Sequence, residues 1–226
     1  MKDQNSSDKN PIEANLNQKA ADNSVDHSYL QSQLLISMPG LEDPYFTQSV
    51  TLICQHNEDG CFGLTINKPI EITIDEVLKQ LEIDSEQPVT NAAKIKYTQL
   101  NKSVSPKSLP ALRGGPVQTE QGFVIHDSDA KWENTLSIND DLSVTASRDI
   151  LIDIAAGNGP ENYLLTLGCA SWMGGQVESE IMDNSWLNCP VDKKIIFDMP
   201  FEQRWQGAAD TLGINLNAMS GASGHD

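Results

Sequence analysis

Basic residues are scarce in this chain: 15 Lys and Arg stand against 32 Asp and Glu over 226 residues, a formal net charge of −17. A surface that grips phosphate backbones needs clustered Lys and Arg, so direct nucleic-acid binding is disfavoured. Long apolar runs are missing too. No stretch approaches the roughly 18 consecutive apolar residues of a membrane helix, and no membrane span is expected. The first residues lack an apolar core and contain no arginine, so neither a secretory leader nor a transit peptide is expected and the expected location is the cytoplasm. Cys54, Cys61, Cys169 and Cys189 form no C-x-x-C pair, which leaves four reduced thiols rather than a zinc ribbon or a thioredoxin-like site. His126 has no second His or Cys at ligand spacing, so neither a metal nor a cofactor is expected.

What is present suits an ordinary globular fold. The chain is 38% hydrophobic, and a domain of this length buries about 70% of its unfolded surface. Residues 1–28 contain no aromatic side chain and carry three lysines against five acids. Such a segment cannot offset its ordering entropy, so the expected organisation is a disordered polar tail over 1–28 and a single domain over 29–226.

"LLISM" ends at the turn dipeptide Pro39-Gly40 and reads as a first strand. In "SVTLICQH" Val50, Leu52, Cys54 and His56 alternate with Thr51, Ile53 and Gln55, which is strand periodicity, and "CFGLTINKP" after the polar turn "NEDG" predicts a hairpin. "ITIDEVLKQLEI" spaces Ile74, Val77, Leu78 and Leu81 for a helix with Asp75 and Glu76 in its first turn. Residues 84–110 are polar, with "NKSVSPKSLP" reading as an exposed loop, and "QGFVIHD", "NTLSI" and "LSVTA" read as strands. A helix is predicted in "SRDILIDIAAGNG", with Ser147 as cap and Gly157 as stop, and a strand in "ENYLLTLG" ending at Leu167. "KKIIF" reads as a strand and "PFEQRWQGAADTLG" as a helix burying Trp205, Ala208, Ala209 and Leu212. Strands mixed with helices, including a hairpin, define an α+β (mixed α/β) class.

Three stretches carry candidate chemistry. "LGCASWMGGQVESEI" fits neither the nucleophile elbow, because two residues rather than one separate Ser171 from Gly168 and from Gly174, nor a dinucleotide fingerprint. It reads as a tight junction with Trp172 packed over it, leading into a helix with Val177 and Ile181 inward; if Trp172 lined a groove beside Gln176 and Glu178, the stretch would become a binding surface. Cys54 and His56, two apart on one strand, are expected on one face, where an imidazole stabilises a thiolate, with Asn57 or His126 as a third group. Buried strand cysteines more often act as small hydrophobes. Arg113, Gly114 and Gly115 of "RGGP" resemble an anion-binding turn, although glycines before a proline also make ordinary turns.

Together "MPGLEDPYFTQSVTLICQHNEDGCFGLTINKP", "RGGPVQTEQGFVIHD", "SRDIL", "LGCASWMGGQVESEI", "NSWL", "RW" and "GHD" resemble the AlgH/YqgE family of bacterial proteins, in the family's order over 30–226. The chain departs from the family in Gln55 of "CQHN", in Arg113 before the two glycines, in Cys169 and in the terminal Asp226, and its tail before Tyr29 is longer. The resemblance implies a bifurcated, partly barrel-like sheet flanked by helices. The family carries the label of a transcriptional regulator linked to alginate production, without a settled enzymatic activity or a DNA-binding motif. This sequence contains no basic recognition helix either. Two functions are therefore expected to compete: a non-enzymatic regulatory or adaptor protein that binds a protein partner or a small anionic ligand, and a thiol-dependent enzyme or redox sensor built on Cys54 and His56.

Overall fold

The computed structural model describes residues 29–83, 109–127 and 129–220. The expected tail over 1–28, most of the polar stretch 84–110 with its expected loop "NKSVSPKSLP", and His225 lie outside them. Ten strands form one sheet: β1 Gln33–Ser37, β2 Val50–Asn57, β3 Gly60–Thr65, β4 Pro69–Thr73, β5 Pro110–Arg113, β6 Val117–His126, β7 Thr135–Asn139, β8 Leu142–Thr145, β9 Tyr163–Met173 and β10 Trp186–Pro190. The main path runs β10-β1-β2-β3-β9-β6-β8-β7, with β5 joining β4 to β9. All pairings are antiparallel except β5 with β9. Helices α1 Ile74–Gln80, α2 Arg148–Ala156, α3 Gln176–Met182, α4 Arg204–Asp210 and α5 Leu216–Ser220 flank it. The class is α+β as expected, and the sheet is open rather than closed into a barrel.

Strand β9 is where the sheet forks. One edge pairs with β6, while the other pairs first with β5, at Thr166 and Leu167, and then with β3, from Ala170 to Met173. Gly168 sits at the fork with φ +74°, a conformation that costs glycine little. The inward parity shifts there: Leu164 and then Cys169 face the main core, while Leu165 and then Ala170 and Trp172 face the opposite side. The strand expected to stop at Leu167 therefore continues through the glycine to Met173, and Trp172 is a strand residue. Opposite Gly168, β6 bulges out between Val117 and Gly122.

The main core on one face joins Leu34, Leu52, Leu64 and Phe123 to Trp205 and Ala208 of α4. The opposite face is covered in two patches: α1 and α2 lie over the far arm through Ile74, Leu78, Ile150 and Ile154, and α3 lies over the near arm through Val177. Local details differ from the sequence reading. "KKIIF" is a π-helical turn over Lys194–Asp198 rather than a strand, begun by Asp192, whose carboxylate accepts from the Lys194 N–H and whose carbonyl accepts from Ile195 and Ile196. It buries Ile195, Ile196 and Phe197. Ser147 occupies the N-cap position of α2 as expected but makes no side-chain capping bond; its hydroxyl bonds instead to the Glu133 carbonyl and to Asp149, and Gly157 ends the helix in the left-handed conformation as expected. Helix α4 stops at Asp210, leaving Leu212 exposed. Buried Arg204 donates to the carbonyls of Met199 and Ile66 and stacks on Phe201, pinning α4 to the end of β3.

Candidate functional site

The hairpin of β2 and β3 is irregular at the residue that mattered most to the sequence reading. Ile53 pairs with Gly63 and Gln55 with Phe62, so Cys54 is a bulge without a ladder partner. A bulge inverts the alternation downstream. Cys54 points into the main core, its thiol 3.7 Å from the Leu52 carbonyl, whereas His56 lies across from Cys61 on the opposite face. The expected same-face pair of Cys54 and His56 does not form. Burial pushes the Cys54 thiol well above its ordinary pKa, reinforced by the neighbouring Cys61 and Cys169. Cys61 does have a base across the strand, yet burial and then the charge of Glu178 push its thiol up to about 12. Cys169 is pushed up to about 11 by burial, and Cys189 moves in the same direction.

His56 has its own arrangement. The Leu30 N–H donates to Nδ1 at 2.9 Å, the Tyr29 ring meets the imidazole edge-on, and Glu178 Oε1 lies 3.0 Å from Nε2. Accepting at Nδ1 puts the proton of a neutral ring on Nε2. The approach to Glu178 is close but not aligned as a hydrogen bond. Asn57 is a turn residue: its Oδ1 accepts from the N–H groups of Asp59 and Gly60.

Around Trp172 the central residue is Glu180, which the sequence pattern places on the flank of the helix and not among the candidate site residues. Glu180 accepts from the indole N–H of Trp172 at 2.9 Å, from that of Trp186 at 2.8 Å, and from the Gln176 amide at 2.9 Å. Gln176 in turn accepts from the Met173 N–H, closing the turn into α3. Phe46 stacks on Trp172 and meets Trp186 edge-on, so the loop between β1 and β2 covers the two indoles. The i,i+4 spacing of Gln176 and Glu180 was the available signal. Trp172 is buried beside a cleft of about 150 Å³ that is also lined by Gln55, Asn57, Cys61 and Ser171. A wider groove of about 810 Å³ lies elsewhere, between Asp127, Asn162, the π-helical turn and Leu212, and contains none of the expected site residues.

Arg113 leaves the end of β5 exposed, its guanidinium 6.0 Å from the centre of the Tyr45 ring. Its N–H donates to the Lys68 carbonyl, and the Lys68 ammonium donates to the Thr47 carbonyl at 2.5 Å. Lys68 is lowered in pKa by partial burial and by Arg113. The two glycines serve packing. A Cβ on Gly114 would lie 2.1 Å from the Gly168 carbonyl oxygen and one on Gly115 2.2 Å from the Cys169 carbonyl carbon. The Gly114 N–H is committed to Leu167. His126 stands apart on the far arm, buried, with Nε2 2.8 Å from the Thr145 hydroxyl and Trp132 edge-on to its ring.

The structure thus brings His56, Trp172, Gln176 and Glu178 together around α3, with Asn57 at the adjoining turn. The loop over residues 38–48 links them to Arg113, since Tyr45 meets Arg113 and Phe46 meets Trp172. Cys54 and His126 do not belong to the group. Among the described residues no cluster of three or more His, Cys, Asp or Glu could hold a metal, and no helix is long and apolar enough to cross a membrane.

A forked, open α+β sheet bearing a surface platform of aromatic and charged side chains is the class of protein that the fold and this site define. The family described as AlgH-like matches residues 34–217, and the chain belongs to it. It is 42% identical over 197 residues to a UPF0301 protein of Methylococcus capsulatus, covering 87% of this chain and 96% of the relative. To a UPF0301 protein of Stenotrophomonas maltophilia it is 44% identical over 196 residues, with the same coverage. The solution structure of the AlgH protein from Pseudomonas aeruginosa is similar with a TM-score of 0.67 and 40% identity, covering 92% of this chain and all of that one. A crystal structure of a Corynebacterium diphtheriae protein, 18% identical with a TM-score of 0.60 over 84% of this chain and 91% of its own, shares the fold.

Proposed function

We propose that this is a non-enzymatic, cytoplasmic regulatory or adaptor protein that binds a protein partner or a small anionic ligand through the platform of loop 38–48, the β2–β3 turn, Arg113 and α3. One observation carries the reading: groups that could run a reaction are committed internally, Glu180 to two indoles, the His56 Nδ1 to Leu30 and the Cys54 thiol to the core, while the platform's rim stays open. Met173, at the end of β9 just before α3, and Met182, at the end of α3, are 75% and 76% exposed, and adaptable methionines suit a protein contact. Any role in transcription would then run through a partner, and a gel shift with duplex DNA at about 50 mM salt is expected to be negative.

The test pairs two measurements. A Met173→Glu/Met182→Glu variant should keep the circular dichroism and melting temperature of the parent and lose whatever protein partner the parent retains. A partner held equally by both would remove α3 from the reading. Alkylation by iodoacetamide across neutral pH should be slow for the folded chain, because its thiols are buried and held protonated. A fast-reacting thiol at pH 7 would favour the thiol-enzyme alternative.

A further inference from the structure

Two of the few cations in this chain are held side by side, and the means by which they are held is local and rigid. Asn67 takes the Val50 N–H on its Oδ1 at 2.8 Å and donates its amide to the Gln48 carbonyl at 2.9 Å, which fixes the exit of β3 and the course of the chain through Lys68. Loop 41–48 lies alongside. Its conformation is set by Asp43, whose Oδ1 accepts from the N–H groups of Tyr45 and Phe46 and whose carbonyl accepts from the Thr47 N–H and hydroxyl. That loop presents the Thr47 carbonyl to the Lys68 ammonium and the Tyr45 ring to the Arg113 guanidinium.

The electrostatics of this corner are unbalanced. Among the described residues the ion pairs are His56 with Glu178, Lys79 with Asp75 and Lys193 with Asp141, so neither Lys68 nor Arg113 has a carboxylate within 4.0 Å. Acids outnumber bases two to one in the chain, yet this pair faces outward without one. Like charges held together repel, and an anion placed between them relieves that repulsion and gains from both. A guanidinium offers two parallel N–H donors to an oxyanion while an ammonium acts as a point charge, so the pair suits a group with at least two oxygens. The Gly114 amide, already bonded to Leu167, is not part of the receptor.

We propose that Lys68 and Arg113, with Tyr45 beneath the guanidinium, form a receptor for one oxyanionic group, a phosphoryl or carboxylate, carried by the ligand or partner. The proposal rests on the binding-protein reading above and names the chemistry that this part of the platform recognises. The Tyr45 ring orients the guanidinium, and the Asp43-fixed loop keeps the two cations at their spacing before the anion arrives.

The experiment uses the full chain, followed by NMR of backbone amides and lysine side chains, titrated separately with inorganic phosphate and with acetate against chloride at matched ionic strength. A saturable change at Tyr45, Thr47, Lys68 and Arg113 with phosphate alone supports a phosphoryl group; saturation with acetate supports a carboxylate. Arg113→Gln should weaken binding by roughly tenfold or more, as loss of a charge-assisted fork does, and Arg113→Lys should fall between. Arg113→Gln should also let the Lys68 pKa rise in the free protein, which checks that the two charges are held close enough to repel. No saturable change with either anion, or unchanged affinity in Arg113→Gln, overturns the receptor. The Met173→Glu/Met182→Glu test at α3 then still decides the broader reading by itself.

Discussion

Glu180 shows how a side chain near a presumed site can be wholly engaged in holding the surface together. One carboxylate ties strand β9, through Trp172, to strand β10, through Trp186, with Gln176 of its own helix as the third donor. Glu180→Ala leaves two indole donors without an acceptor and should cost about 2–3 kcal/mol, whereas Glu180→Gln, which keeps one acceptor oxygen, should cost less. Chemical denaturation gives the numbers, and tryptophan emission should move to the red only in the alanine variant. Equal stability of all three proteins would show that the indoles find other partners. His56 makes a comparable claim on the start of the fold. His56→Ala removes the acceptor of the Leu30 N–H and should raise hydrogen exchange at the Leu30 amide, whereas His56→Gln, whose side-chain oxygen can accept, should keep most of its protection.

At the scale of elements, the close crossing of the Gly114-Gly115 segment over β9 makes a sharp prediction. Gly114→Ala drives a methyl group to 2.1 Å from a backbone oxygen and should prevent soluble folding or lower stability by more than about 3 kcal/mol, because main chain cannot step aside. Gly122→Ala, whose added carbon meets nothing closer than 3.6 Å, is the control and should be tolerated. Melting temperatures decide the pair. The same crossing shows what the sequence made legible. Strong periodicity announced β2, β3, α1 and α2, and the family motifs announced the forked sheet. The Cys54 bulge was invisible because "SVTLICQH" alternates without a break; the slip comes from the pairing with β3, a partner that strand periodicity does not register. Strands β4, β5 and β10 each contain a proline at one end, Pro69, Pro110 or Pro190, which reads as a breaker, and the apolar run "IIF" in the π-helical turn mimics a strand. For the candidate site, Trp172, Gln176 and Glu178 were read from one contiguous stretch. Lys68 and Tyr45 were missed because only folding brings them to Arg113.

For the molecule as a whole, the raised thiols set an alkaline limit. A thiol whose folded pKa exceeds its unfolded value contributes no pH dependence below the unfolded value near 9 and loses stability as pH rises from there toward the folded value, about 12 for Cys61 and about 11 for Cys169. Each contributes a loss of about 1.4 kcal/mol per pH unit inside its window. Urea midpoints should therefore be flat between about pH 7 and 8 and fall steeply by about pH 10.5, and Cys61→Ala should flatten the fall.

The forked strand also governs how the chain finds this structure. Strand β9 docks on β6, on β5 and on β3, and its contact with β3 joins Gly60 to Met173 across half the sequence. It cannot be seated until segments from both sides of it are in place, so its amides should be among the last to gain protection during refolding and the overall rate should fall in the slow regime of non-local sheets. A nascent chain that has not yet released residues 163–173 from the ribosome holds three separate pieces of sheet, β1-β2-β3, β4-β5 and β6-β8-β7, with no strand to join them.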